Sequence, residues 1–431
     1  MSNTFLKTPP MGWNSWDCYG ASVREDEVLA NARFMADNLK QYGWEYITVD
    51  IQWSEPGSLG TDYRNLPKLC MDEYGRQIPA PNRFPSAKDG AGFKPLADKV
   101  HAMGLKFGIH ILRGIPRQAI YADCPVMGTE YTARDIAKGD NLCPWNMDMY
   151  GVNPDHPGAQ AYYDSIFNLY AEWGVDLVKV DDMAHMPYFW TKGDYYSGEA
   201  HLIRNAIDKC GHNMVFSSSP GMYSLDAADT VTECCNMWRM SNDFWDDWRA
   251  LDEMYDLLTK WLPHMSEGHY PDADMIPIGH LSVRSNSDWN KPRMTNFTHN
   301  EQHFLMSLWS IARSPMILGC DMPGMDDFTL SLLTNAYIIG VNQHSSGTRM
   351  LFKRDSIGAW ACETDEGACI GLFNLDNATR AAAITLEEAG IEGEYDVTDA
   401  WTGEKVICSD GMLLKKLGAH EGTLLRLKRK A

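Results

Sequence analysis

Trp173-Gly-Val-Asp-Leu-Val-Lys-Val-Asp-Asp182 is the stretch that decides the fold. A helical pattern, Ala159–Trp173, runs into it with apolar residues three and four apart. Gly174 follows that helix. The short valine-rich run Leu177–Asp182 follows and ends in charge, as a buried strand with a polar tip does. Helix, glycine, strand and polar tip make one βα repeat. Working outward, similar runs lie at Gly12–Trp16, Tyr46–Ile51, Lys106–Ile111, Met214–Ser219, Asn236–Ser241, Met275–Gly279 and Pro315–Cys320. Helical patterns such as Glu25–Tyr42 and Phe93–Met103 separate most of them. Eight β segments joined this way predict an α/β fold, a (β/α)8 TIM barrel over residues 1–342. The stretch at about 113–157 breaks the rhythm with Pro, Gly, Cys143, Trp145 and several Asp. A long insert in a barrel covers the active-site mouth or serves as a surface loop. Beyond Asn342 the runs shorten and alternate: Gly358–Cys362, Ala368–Asn374, Ala381–Leu386, Glu394–Asp399 and Thr423–Leu427. Residues 343–431 therefore read as a C-terminal antiparallel β-sandwich.

The bulk properties narrow the function. The chain has 431 residues, and 38 basic against 58 acidic side chains leave a formal charge of −20. Such a surface repels phosphate, which counts against nucleic acid as a partner. No apolar run approaches the roughly 20 residues of a membrane span, so no membrane partner is expected. The first ten residues carry no apolar signal core, and the eleven cysteines are scattered without a Cys-x-x-Cys pair. Both features predict a cytoplasmic protein with reduced thiols. Fifteen tryptophans offer faces for the C–H faces of sugars, although a tryptophan is more often simply packed.

In a barrel, chemistry sits at the C-terminal ends of the strands. The polar residues there are Trp16, Asp50, His110, Lys179, Asp181, Ser219, Arg239 and Asp243, with Asp274 just before the seventh run. Lys179 and Asp181 are two apart and share one strand face. Asp243 follows Arg239 by four residues on the turn that leaves strand six. Two carboxylates across a mouth are what glycoside hydrolysis requires: one attacks the anomeric carbon, and the other protonates the leaving oxygen and then activates water. Lys179 would keep Asp181 ionised. Asp243 would need a raised pKa, for which Phe244 and Trp245 supply an apolar setting. The competing readings are a helix N-cap for each Asp and a Schiff-base role for Lys179. His299 and His303 form an i,i+4 pair without a third ligand, so they read as structural and no metal is expected. No Gly-rich phosphate loop and no Gly-x-Ser-x-Gly elbow occur.

The residues resemble glycoside hydrolase family 27, the α-galactosidase and α-N-acetylgalactosaminidase family. The resemblance runs from Thr8-Pro-Pro-Met-Gly-Trp-Asn-Ser-Trp16 through Trp173–Asp181, Trp238-Arg239 with Asp243, Pro271-Asp-Ala-Asp274-Met and Ser314-Pro-Met-Ile-Leu-Gly-Cys-Asp321 to Gly418–Leu427. It implies double displacement with retention, Asp181 as nucleophile, Asp243 as acid/base and no cofactor. It places Trp16 against the sugar near C6, Asp50 on a hydroxyl near C6 or C4, Lys179 on O3 and O4, and Arg239 on O2. His110 stands where the family has a pocket-lining Tyr.

The departures bear on the substrate. The family's Asp-Asp-Cys-Trp after strand two is Asp50-Ile51-Gln52-Trp53 here, so the second Asp, which binds the axial 4-hydroxyl, is gone. Arg113, Arg117, Trp145 or Asp148 of the insert could replace it. Ser219 resembles the N-acetylgalactosaminidase pattern, but Pro220-Gly221 departs from both, and Met183 replaces the family's Cys. The reading that follows is an α-galactosidase acting on a small oligosaccharide or glycoside. A β-L-arabinopyranosidase or α-N-acetylgalactosaminidase is the alternative, and a non-catalytic carbohydrate-binding protein is the remote one. The insert could also serve a subunit contact, which leaves room for a homo-oligomer.

Overall fold

The computed structural model of the chain describes residues 5–184, 195–219, 221–285 and 291–430. Pro220 lies outside them. Eight parallel strands form the first sheet: β1 Met11–Asn14, β2 Tyr46–Val49, β3 Lys106–Leu112, β4 Leu177–Asp181, β5 Val215–Ser219, β6 Met237–Arg239, β7 Tyr270–Asp272 and β8 Met316–Leu318. Their order is β7-β6-β5-β4-β3-β2-β1-β8. The ring closes beyond β7 through one parallel bridge, Ile276 to Leu318. There Ile276 N donates to Ile317 O at 2.7 Å and Gly319 N to Ile276 O at 3.1 Å. Gly12 lets β1 lie close to β2, since a Cβ there would meet Tyr46 O at 2.5 Å.

The seventh strand differs from the prediction. It is Tyr270–Asp272, not Met275–Gly279. Pro271, which cannot donate to a ladder, sits inside it. Asp274 then turns left-handed at φ 75° and leaves only Ile276 to pair. The helix predicted over Glu25–Tyr42 is α-helical to Phe34, widens over Met35–Leu39 and tightens over Lys40–Tyr42. The insert is more regular than its sequence suggests. It holds a helix at Arg117–Ala122 and a three-stranded sheet of Ile115–Pro116, Ala137–Leu142 and Met149–Val152.

The C-terminal strands are β9 Ser346–Arg354, β10 Ile357–Thr364, β11 Gly367–Asn374, β12 Arg380–Thr385, β13 Tyr395–Asp399, β14 Cys408–Ser409, β15 Met412–Leu417 and β16 Gly422–Arg429. They make two antiparallel sheets, β9-β10-β11-β16-β13 and β12-β15-β14. On β10, Ile357 and Ala359 face the core between these sheets, while Trp360 and Cys362 join the core of the barrel. Both faces are therefore buried, and the strand reads as a continuous apolar run. No helix among the described residues is long and apolar enough to cross a membrane. All eleven cysteines are free thiols.

Candidate active site

Positions two apart along each barrel strand face the interior, and their chemistry changes with height. Tyr46 gives way to Thr48, Leu177 to Lys179 and Asp181, Val215 to Ser217 and Ser219, Met237 to Arg239, and Tyr270 to Asp272. The apolar members pack with Leu6 and Ile317 into a plug. The polar members stand above it, at the C-terminal mouth. There Trp16, Asp50, His110, Lys179, Asp181, Arg239, Asp243 and Asp274 all line one cavity of about 280 Å³. Ser219 does not join them. Its Oγ is buried without a partner, beside a void of about 20 Å³ inside the barrel.

Asp181 is held from two sides. His110 Nε2 lies 3.1 Å from Oδ2, and the Asp182 amide donates to Oδ1 at 2.8 Å. The lysine behaves differently from the expectation: Lys179 Nζ pairs with Asp50 Oδ2 at 3.1 Å rather than with Asp181. Burial works to lower the Lys179 ammonium, but the charges of Asp50 and then Asp181 hold it above its usual range. Burial likewise works to raise Asp50. The Lys179 charge, then His110, the Ile51 amide and Asn14, which donates at 2.7 Å, hold that carboxyl well below the usual range.

Asp243 also departs from the expectation. Arg239 donates to it at 2.7 Å, and that guanidinium holds its carboxyl below the usual range despite Phe244 and Trp245 on the same wall. Arg239 in turn leans 3.4 Å from Asp274, whose oxygens accept from the Phe244 and Met275 amides. Beneath it, burial and the Asp274 charge push Asp272 up to about 7.

The strand ends are followed by strained backbone. Gln52, Asp182 and Asp274 all take left-handed φ, at 67°, 59° and 75°. Each such residue costs about 1–3 kcal/mol and persists only where its surroundings hold it. Arg113 supplies part of that hold. It binds Asp182 at 2.9 Å, Glu199 at 2.8 Å and Asn141 at 2.7 Å, and its guanidinium lies 3.4 Å from the Tyr196 ring centroid. Burial and then Asp181 push Asp182 up to about 7 against the pull of Arg113.

Arg113 is thus committed to structure, not to ligand. Arg117 lies 3.8 Å from Asp148, and Asp148 accepts from Gln52 at 2.9 Å. Of the four insert residues proposed to replace the missing Asp, only Trp145 reaches the cavity.

Two ionisable residues that strand-end reasoning missed also line the cavity. Tyr63, from the loop after β2, stacks on Trp16 at 5.9 Å and tilts against Trp145 at 5.7 Å. Burial, then the charges of Asp50, Asp181 and Asp243, push its phenol well above the usual range. The signal available was loop length, since no helix follows β2 until residue 85. Asp17, on the short helix Trp16–Tyr19, is buried with Oδ2 unpartnered. Burial and the Asp274 charge raise it well above the usual carboxylate range. His299 stacks on Phe328 at 3.7 Å and His303 on Trp401 at 4.6 Å. No group of three or more potential metal ligands occurs among the described residues.

Two family models match the chain, one described as Alpha galactosidase A over residues 146–344 and one as Alpha galactosidase C-terminal beta sandwich domain over residues 355–427. Alpha-galactosidase A of Homo sapiens is 25% identical and covers 98% of this chain and 86% of its own. The alpha-galactosidase of Cyamopsis tetragonoloba is 24% identical, covering 97% and 85%. Among solved structures, a β-L-arabinopyranosidase from Geobacillus stearothermophilus in complex with arabinose is 47% identical, covers 100% of this chain and 99% of its own, and superposes with a TM-score of 0.96. A Bacillus halodurans protein provisionally named an α-N-acetylgalactosaminidase is 45% identical, covers 99% of both chains and has a TM-score of 0.89.

Proposed function

Since the chain belongs to glycoside hydrolase family 27, we propose that it is a retaining exo-glycosidase that releases terminal β-L-arabinopyranose. Asp181 attacks the anomeric carbon as the bond to the aglycone oxygen breaks, and Asp243 gives that oxygen its proton. Asp243 then takes a proton from water, which displaces Asp181. Before it can serve as an acid, Asp243 must part from Arg239. The sugar's 2-hydroxyl, taking up the guanidinium, does that and lets the carboxyl rise.

The observation that carries the sugar is the wall at Ile51, which this reading places at the C6 end of the sugar rather than at the 4-hydroxyl. Ile51 packs with Leu112 and Met149, and Trp16, Tyr63 and Trp145 lie against the same cluster. The Trp16 side is where the C6 end of a hexose would sit. A hydroxymethyl group there would bury its hydroxyl against apolar carbon, at about 1–3 kcal/mol if unpaired. A pentopyranose presents only a ring CH2. The 47% identity to an arabinopyranosidase over the whole chain supports the same sugar. α-Galactose stands second, favoured by the curated relatives at 24–25% identity. N-acetyl-α-galactosaminide stands lower, because Ser219 lies outside the main cavity.

Initial rates on the nitrophenyl glycosides of β-L-arabinopyranose, α-galactose, N-acetyl-α-galactosamine and α-glucose test the reading. The arabinoside is expected fastest, and Ile51→Asp is expected to move preference toward the galactoside. A native preference for galactoside would put α-galactose first. Asp181→Ala and Asp243→Ala are each expected to lose most of the turnover, with carboxyl groups about 5–5.5 Å apart in a bound complex.

A further inference from the structure

We propose that His110 and Gln52 are positioning residues that hold Asp181 through one buried water, with the His110 proton fixed on Nε2. The proposal rests on Asp181 being the nucleophile but not on the identity of the sugar.

The proton logic starts from Gln52. Its backbone is left-handed, the residue is 8% exposed, and it does not line the main cavity. Its Nε2 donates to Asp148 Oδ2 at 2.9 Å. A carboxylate oxygen accepts, so the amide cannot be turned over, and Oε1 is the end left free. That atom is buried with no partner. His110 is 1% exposed, and its backbone is pinned by Trp53, whose indole donates to His110 O at 2.6 Å. Its Nε2 lies 3.1 Å from Asp181 Oδ2, while Nδ1 is buried without a partner.

Gln52 and His110 both line a second cavity, distinct from the sugar cavity, of about 20 Å³. A single water needs about 10–15 Å³ and two to four polar partners. The two orphaned atoms supply a pair of acceptors, and water has a pair of hydrogens. One goes to Gln52 Oε1 and the other to His110 Nδ1. With Nδ1 accepting, the ring carries its proton on Nε2, where it donates to the nucleophile. The opposite tautomer would turn a lone pair toward a carboxylate oxygen. Asp181 is thus gripped at Oδ2 by His110 and at Oδ1 by the Asp182 amide, and Gln52 acts on it only through the ring.

The test has two readouts. In enzyme labelled with 15N-histidine and assigned with His110→Gln, the native ring is expected as the neutral Nε2–H tautomer at neutral pH. An Nδ1–H tautomer or a doubly protonated ring overturns the proposal whatever the substrate. The second readout is kinetic and uses Gln52→Met, which keeps an unbranched chain at a left-handed position. The probes are the 4-nitrophenyl and 2,4-dinitrophenyl glycosides of the sugar found fastest in the panel above. Loss of a hydrogen bond to a charged group predicts a fall in kcat of about tenfold. It should be equal on both aglycones because the defect is at the nucleophile and not the acid, and KM should change little. His110→Gln, which keeps a donor near the Nε2 position, should retain more activity than His110→Phe. An unchanged kcat in Gln52→Met, or a loss that vanishes on the dinitrophenyl glycoside, overturns the proposal.

Discussion

Asp243 rests against Arg239 at 2.7 Å, an arrangement that favours its anion, while the proposed chemistry needs its acid. The pKa of a depressed carboxyl is met early as pH rises. In free enzyme the acid form is therefore lost at low pH, and kcat/KM, which reports free enzyme, should fall on the alkaline side of that depressed value. Once the sugar's 2-hydroxyl takes Arg239, the carboxyl rises, and kcat should hold its plateau to higher pH. Full pH profiles of both constants check this, and coincident alkaline limbs would mean that the ion pair survives substrate binding. Tyr63 is the other residue with a consequence of its own. Its phenol lies among the charges of Asp50, Asp181 and Asp243 on the sugar cavity. Tyr63→Phe keeps the ring stack and removes one hydroxyl, so kcat/KM should drop by about 5- to 30-fold, the equivalent of roughly 1–2 kcal/mol, with unfolding unchanged. The strand-end residues other than Ser219 fall on one cavity because a period of two on a known barrel face leaves few choices. Tyr63 was not legible, because a loop position has no period, and the Lys179–Asp50 pair was not, because it joins residues 129 apart.

Elements were legible where local pattern and burial agree. Ala159–Trp173 has the bounds that its period predicts. β7 was not, because Pro271 argues against a strand and the apolar residues that follow argue for one. β9 and β15 went unpredicted because their outward faces break the alternation: Met412 and Leu414 are exposed. Two predictions belong at this scale. Gly12→Val should destabilise the protein by about 1–3 kcal/mol by overpacking β1 on β2, measured as a lowered urea midpoint. Asp176, just ahead of β4, accepts from His101 at 2.8 Å, His212 at 3.0 Å and the Phe107 amide at 2.9 Å. The hydrogen bond to Asp176 raises His212 above its usual 6.5. A raised folded value means that this contribution is complete below pH 6.5 and is lost as pH climbs through the folded value. His212→Ala should therefore cost more at about pH 6 than at about pH 9. The difference should stay under about 1 kcal/mol, because the ring is partly exposed.

At the scale of the whole molecule, barrel and sandwich share side chains rather than abut. Trp360 of β10 meets Tyr255 of the helix Trp248–Trp261, ring centroids 5.8 Å apart, and Trp401 donates its indole N–H to Ser307 of the helix His299–Ile311 at 2.9 Å. Trp360→Ala should cost about 3–5 kcal/mol and should lower a single calorimetric transition; a split into two would show that the units melt apart. The barrel's own closure carries a different consequence. Seven of its seams are ladders of two to five residue pairs, and the eighth, Ile276 to Leu318, is one. A ring so made is a bracelet with a clasp. The clasp lies one residue beyond Met275 and two beyond Asp274, both on the rim of the sugar cavity. Its release would open the ring beside the mouth without unpairing any other strand, so the weakest seam of the barrel is the one nearest Asp274 and Met275.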